Sequence, residues 1–193
     1  MAQRSINNRY HLLVIGGSAG SLDVLLQLLP ALRTDLGVAI IVVMHRKNGE
    51  SQLAELLGDR ISWPVSEADD KDTIEKGKVY LAPADYHLMI EKDRIISLDF
   101  SEKVHYSRPA IDVTFETAAE AYGASTIAVL LSGANADGTE GLQAIKSAGG
   151  LTIVQDPAEA TVSYMPQQAI DEVKVDYVAT TKEIAAILNR LNQ

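Results

Sequence analysis

A chain of 193 residues, 47% of them hydrophobic, is long enough to bury one domain-sized core. Its apolar runs are strand-length, far below the ~20 residues of a membrane span, and a net charge of −9 opposes nonspecific binding to nucleic acid or an anionic membrane. With no cysteine there is no disulfide and no thiolate metal site, so the expected location is cytoplasmic.

Residues 1–10 read as a flexible tail without the apolar segment of a signal peptide, and residues 11–193 as a single domain. Leu12 to Ile15 is an all-apolar run suited to a fully buried parallel strand. Gly16 and Gly17 permit a sharp turn, and a helix follows with Leu22, Leu25, Leu26, Leu29 and Leu32 on one face. Val38 to Met44 gives a second buried strand, and a short helix is expected over Glu50 to Leu57. The acidic stretch Glu67 to Glu75 shows no periodicity and reads as a solvated loop. Lys78 to Leu81 is a strand, and the pair His87 to Glu91 and Ile95 to Asp99 reads as an antiparallel hairpin.

After a polar stretch at 100–108, Pro109 opens a helix with Ile111, Phe115, Ala118, Ala119 and Tyr122 on one face. Strands are expected at Ser125 to Leu131, Leu151 to Val154 and Val175 to Ala179. Helices are expected up to about Ala148, after Pro166, and from Lys182 to Leu191. This alternation predicts a doubly wound α/β domain: a mostly parallel sheet with an antiparallel hairpin at one edge.

Between the first strand and helix, Gly16-Gly17-Ser18-Ala19-Gly20 reads as G-x-S-x-G, which lifts a serine hydroxyl beside the free amides of a helix N-terminus. Three readings stay open for this turn alone: a nucleophile, an anion site built from backbone amides, and a tight turn with no chemistry. The glycines are out of phase for G-x-G-x-x-G, and no Gly-Lys-Ser/Thr follows, so neither a dinucleotide fingerprint nor a P-loop is present.

In doubly wound folds, chemistry gathers at the carboxyl ends of the strands. There the first strand delivers Ser18, the second His45, and the strand ending near Leu131 delivers Asp137. A serine needs a base, and the imidazole needs an acid to fix its tautomer, so the three form a candidate triad. Asp137 precedes a glycine and also reads as a turn or helix cap. His11 should lie at the opposite edge, while His87 and His105 read as surface or internally satisfied histidines. No pair of histidines has metal-ligand spacing, so neither a metal nor a cofactor is expected.

The order Ser18, His45, Asp137 within these surroundings resembles the catalytic domain of CheB-type chemotaxis methylesterases. The likeness runs from Leu12 to about Ile187. Its motifs are Val14-Ile15-Gly16-Gly17-Ser18-Ala19-Gly20, the strand ending in His45, Val79-Tyr80-Leu81-Ala82-Pro83 with His87, and Arg108-Pro109-Ala110-Ile111-Asp112-Val113. Asp137-Gly138 with Gly141-Leu142, Gln155-Asp156, Met165-Pro166 and Val175-Asp176 complete it.

The resemblance implies a serine hydrolase that demethylates or deamidates glutamyl side chains on methylated chemoreceptor cytoplasmic helices. Ser18 would be the nucleophile, His45 the base and Asp137 its orienting acid. Under the same reading the amides of Ala19 and Ala134 hold the oxyanion, and Arg108 either orients a substrate carboxylate or serves the helix entry. Three departures from the family pattern surround the triad: Ala19 in place of a hydroxyl residue, Gly133-Ala134-Asn135 in place of Gly-Met-Gly, and Arg46 in place of methionine. The phospho-receiver domain common in the family is not within these residues, consistent with a free-standing form or an excised domain. The alternatives are a triad-bearing binding module and an esterase with a non-receptor substrate.

Overall fold

The computed structural model describes residues 9–46 and 53–192. The tail at 1–8 and the first residues of the helix expected from Glu50 lie outside them. Seven strands form one parallel sheet: β1 (Leu12–Gly17), β2 (Ala39–Met44), β3 (Val65–Glu67), β4 (Val79–Leu81), β7 (Thr126–Leu130), β8 (Leu151–Gln155) and β9 (Tyr177–Ala179). Their order is β3-β4-β2-β1-β7-β8-β9, so β1 is central. The chain first winds from β1 outward through β2 and later returns to β1's other side with β7. That reversal opens a crevice beyond the carboxyl ends of β1 and β7, where ligands bind in such sheets.

The apolar run of β1 is buried on both faces. Leu13 and Ile15 pack with helices α1 (Ser21–Ala31) and α6 (Thr181–Arg190). Leu12 and Val14 face the opposite layer of α3 (Ile111–Tyr122), α4 (Thr139–Ser147) and α5 (Tyr164–Glu172). A short helix α2 (Leu53–Gly58) joins the first layer through the buried Leu57. Continuous hydrophobic strands without alternation are what a sheet covered on both faces requires. α6 begins at a capping box in which Thr180 and Glu183 satisfy each other's backbone amides.

Most expected elements are found, with five differences. The hairpin of β5 (His87–Ile90) and β6 (Ile96–Asp99) forms its own two-stranded sheet instead of bordering the main one. It packs on α3, where Thr114 Oγ1 donates to the Leu88 carbonyl and the Ile90 amide donates to Thr117 Oγ1. The edge at that end is β3, a polar three-residue strand overlapping the stretch read as a loop. On α1 the buried face is Val24, Leu25, Leu28 and Leu29, while Leu22 and Leu26 are half-buried. α5 starts before Pro166 instead of after it. Tyr10 is buried and bonded in both directions to Asn192, so residue 10 belongs to the domain.

Candidate active site

Ser18 is the first residue past β1. Its amide donates to the Ser132 carbonyl, and its own carbonyl accepts from the Ser21 amide and hydroxyl. This geometry demands glycines on both sides. A Cβ at Gly17 would come within 2.6 Å of Ser21 Cβ. Gly20 has φ +81°, and a Cβ there would meet Thr161 Cβ at 2.5 Å. The neighbouring loop is locked to the turn by Ser132, whose hydroxyl donates to the Ala19 carbonyl at 2.6 Å.

His45 is the first residue past β2, and its amide donates to the Gly17 carbonyl, extending the β1–β2 ladder by one bond. Its Nδ1 lies 3.2 Å from Ser18 Oγ, and its Nε2 donates to Asp137 Oδ2 at 2.6 Å. A carboxylate is only an acceptor, so the Nε2 proton belongs to this bond and Nδ1 presents a lone pair to the serine. The serine-facing nitrogen here is Nδ1.

Asp137 is fully buried. Besides His45 it accepts the amide of Ile111 on Oδ2 (2.7 Å) and that of Asp112 on Oδ1 (2.9 Å). It does not cap the helix that follows it, since α4 has Gly138 as its N-cap with no side-chain bond. It caps the first turn of α3 from across the fold, in the positive end of that helix dipole. Burial pushes its carboxyl up, but the hydrogen bond from His45 and the two amides outweigh burial and hold it below the ordinary range. The same carboxylate therefore fixes a helix and orients an imidazole.

Asp112 behaves oppositely. It is 2% exposed, accepts the Gly141 amide at 2.7 Å, and sits beside Asp137. Burial is the main cause that pushes it up to about 7, with the neighbouring negative charge of Asp137 adding to it. Asp112 Oδ2 lies 3.1 Å from His105 Nε2. His105, Asp112 and Asp137 are close enough for a shared cation. Asp137 already accepts three N–H donors and Asp112 a fourth, so these carboxylates are engaged in a hydrogen-bond network.

Of the other expected site residues, Ala19 and Ala134 are exposed beside the crevice, and neither amide makes a backbone hydrogen bond among the described residues. Arg108 donates to the carbonyls of Phe100 (3.3 Å) and Ser101 (2.7 Å), and its guanidinium lies 3.8 Å over the Phe100 ring. These contacts hold the 100–101 segment. Arg46 pairs with Glu67 and donates to the Ala82 carbonyl. Asn135 accepts the Asp137 amide at 3.2 Å and donates to the His105 carbonyl at 3.4 Å. His87 is buried, giving one ring nitrogen to the Glu102 carbonyl and receiving the Ala110 amide on the other. It is internally satisfied, as expected. Ser107 was not anticipated: its hydroxyl is 3.3 Å from Nδ1 of His45.

The CheB methylesterase family model matches residues 13–188. A relative from Leptospira interrogans is 44% identical over 187 residues, covering 95% of this chain and 96% of the relative. A Pyrococcus horikoshii protein named protein-glutamate methylesterase/protein-glutamine glutaminase is 36% identical over 174 residues, covering 88% of this chain and 47% of that longer protein. The crystal structure of the Thermotoga maritima CheB methylesterase catalytic domain superposes with a TM-score of 0.90 at 36% identity, covering 94% of this chain and 98% of that domain. A family match over this span, joined to the same fold in a solved catalytic domain, places the chain in the CheB methylesterase family.

Proposed function

We propose that this chain is a serine hydrolase that cleaves methyl esters of glutamyl side chains on a protein and deamidates glutamine side chains in the same site. The observation that carries the reading is the hydrogen-bonded run from Ser18 Oγ through His45 to Asp137 at the carboxyl edge of the sheet. Family membership and the names of the relatives support glutamyl side chains as the substrate class. Helical cytoplasmic segments of chemoreceptor-type proteins are the proposed partners, which places the enzyme in the cytoplasm.

Ser18 Oγ attacks the ester carbonyl carbon while Nδ1 of His45 takes its proton. Asp137 opposes the charge that develops on the imidazolium. The exposed amides of Ala19 and Ala134 meet the oxyanion. The carbon–oxygen bond to methoxide breaks, Nδ1 returns the proton to that oxygen, and methanol leaves. Water then attacks the acyl-enzyme with Nδ1 as base, which frees the carboxylate and Ser18. With glutamine the leaving group is ammonia.

The test is incubation with a methylated chemoreceptor cytoplasmic fragment, with methanol measured by gas chromatography and ammonia measured from the glutamine form. Methanol release that depends on Ser18 is expected. No release above the enzyme-free blank, from a receptor fragment that another esterase demethylates, would overturn the substrate assignment.

A further inference from the structure

Two hydroxyls converge on one nitrogen of His45: Ser18 Oγ at 3.2 Å and Ser107 Oγ at 3.3 Å. While Nε2 gives its proton to Asp137, Nδ1 holds a single lone pair, and one donor satisfies it. Ser18 is that donor in the mechanism above, which leaves Ser107 without use in the neutral state. Ser107 has its own acceptor, the His105 carbonyl at 3.4 Å, so its proton can point away from the imidazole and its oxygen lone pairs toward it.

The segment that presents Ser107 is built under constraint. The Val104 and Ser107 amides each donate to the other's carbonyl, closing a tight turn over His105 and Tyr106. Both central residues have positive φ, 48° and 61°, which is uncommon for non-glycine side chains and for two in succession. Such a conformation persists where its surroundings over-determine it. Here His105 Nε2 reaches Asp112, and the His105 carbonyl accepts from Asn135. The turn is thereby pinned to the network around Asp137, with Ser107 aimed at the base.

We infer that Ser107 is a positioning residue for the imidazolium of His45: its hydroxyl oxygen accepts the Nδ1–H bond once the proton has left Ser18. At that moment Ser18 Oγ is bonded to the acyl carbon. The imidazolium then keeps Asp137 on Nε2 and Ser107 beside the leaving oxygen on Nδ1. The ring is held from both sides until it hands its proton to methoxide, and later when it has taken a proton from water. The proton runs from Ser18 Oγ to Nδ1 to the leaving oxygen, and Ser107 keeps its own throughout.

The inference rests on the proposed triad, and Ser18→Ala separates the two. Steady-state ester hydrolysis would be compared in wild type, Ser18→Ala, Ser107→Ala and Ser107→Thr, with thermal melts of each. Ser107→Ala is expected to lower kcat about tenfold, the size of one lost hydrogen bond to a charged group, with KM within about twofold. Ser107→Thr, which keeps the hydroxyl, should recover most of the rate. Labelling of Ser18 by a fluorophosphonate should slow in parallel, since it passes through the same imidazolium.

Unchanged or raised kcat in Ser107→Ala would overturn the inference, the latter meaning that Ser107 competes with Ser18 for the base. A loss that threonine does not restore, or one confined to KM or accompanied by a large fall in melting temperature, would make Ser107 a structural part of the turn and also overturn it. Activity retained in Ser18→Ala would instead defeat the triad reading itself.

Discussion

Asp137→Asn replaces one oxygen by an NH2 group, and the surroundings of Asp137 make that small change costly. The carboxylate accepts three N–H groups: His45 Nε2 and the Ile111 amide on one oxygen, and the Asp112 amide on the other. Asparagine has one acceptor oxygen, so the three cannot all be satisfied. With its oxygen toward His45, the new NH2 confronts the Asp112 amide. With the amide reversed, NH2 confronts Nε2, and the imidazole proton moves to Nδ1, the nitrogen needed as base. Each buried donor left unpaired costs about 1–3 kcal/mol. At roughly 2–4 °C per kcal/mol for a chain of this size, the melting temperature should fall by about 5 °C. The larger effect is catalytic, because the charge opposing the imidazolium is gone. The same change in an unrelated serine protease costs roughly 10⁴-fold with geometry intact, and a loss of at least ~10²-fold is expected here. Methanol release and melting would be measured beside Asp112→Asn and Asp156→Asn. The Asp156 carboxylate accepts the Ala158 amide within a turn. Near-normal turnover in Asp137→Asn with a collapse in either control would refute the assignment of the acid.

Ser18→Ala should lower ester turnover by at least ~10³-fold and leave the melting temperature within about 2 °C, because among the described residues the hydroxyl has His45 as its hydrogen-bond partner. Retained turnover would point to another nucleophile. Asp112 titrates at about 7 in the folded chain against 3.8 unfolded, so between those values the folded state holds a proton that the unfolded state has lost. The contribution of this carboxyl to stability therefore falls as pH rises from about 4 to 7, by ~4 kcal/mol over roughly three pH units. Asp112→Asn removes that penalty, and its melting temperature relative to wild type should rise between pH 5 and pH 8; a constant difference would contradict the burial argument. Gly20→Ala forces a side chain into φ +81° and against Thr161, and should cost more than about 2 kcal/mol together with much of the activity, read by calorimetry and methanol release.

The buried parallel strands were legible because a sheet covered on both faces leaves no polar residues in Leu12–Ile15 or Ile40–Val43. The α3 face was legible because Ile111, Phe115, Ala118, Ala119 and Tyr122 repeat at helical spacing and are all buried. The phase of α1 slipped since its leucines nearly encircle the helix, and burial then follows packing against α6 more than periodicity. β3 carries no alternating signal over its three residues, and only pairing with β4 makes it a strand. The juxtaposition of Ser18, His45 and Asp137 followed from strand ends alone. The shell around them did not. That Asp137 caps α3, that Asp112 lies beside it, and that Ser107 reaches His45 across 62 positions all depend on loops meeting in space.

The most direct measurement is peptide mass mapping after exposure of the native protein to a fluorophosphonate. Cleavage after Arg9 and Arg33 releases residues 10–33, which hold two serines, Ser18 and the fully buried Ser21. Fragmentation of that peptide should place a single adduct on Ser18, and the adduct should be nearly absent from His45→Ala protein treated identically. An unlabelled peptide, or equal labelling without His45, would contradict the claim that Ser18 is a nucleophile activated by this imidazole.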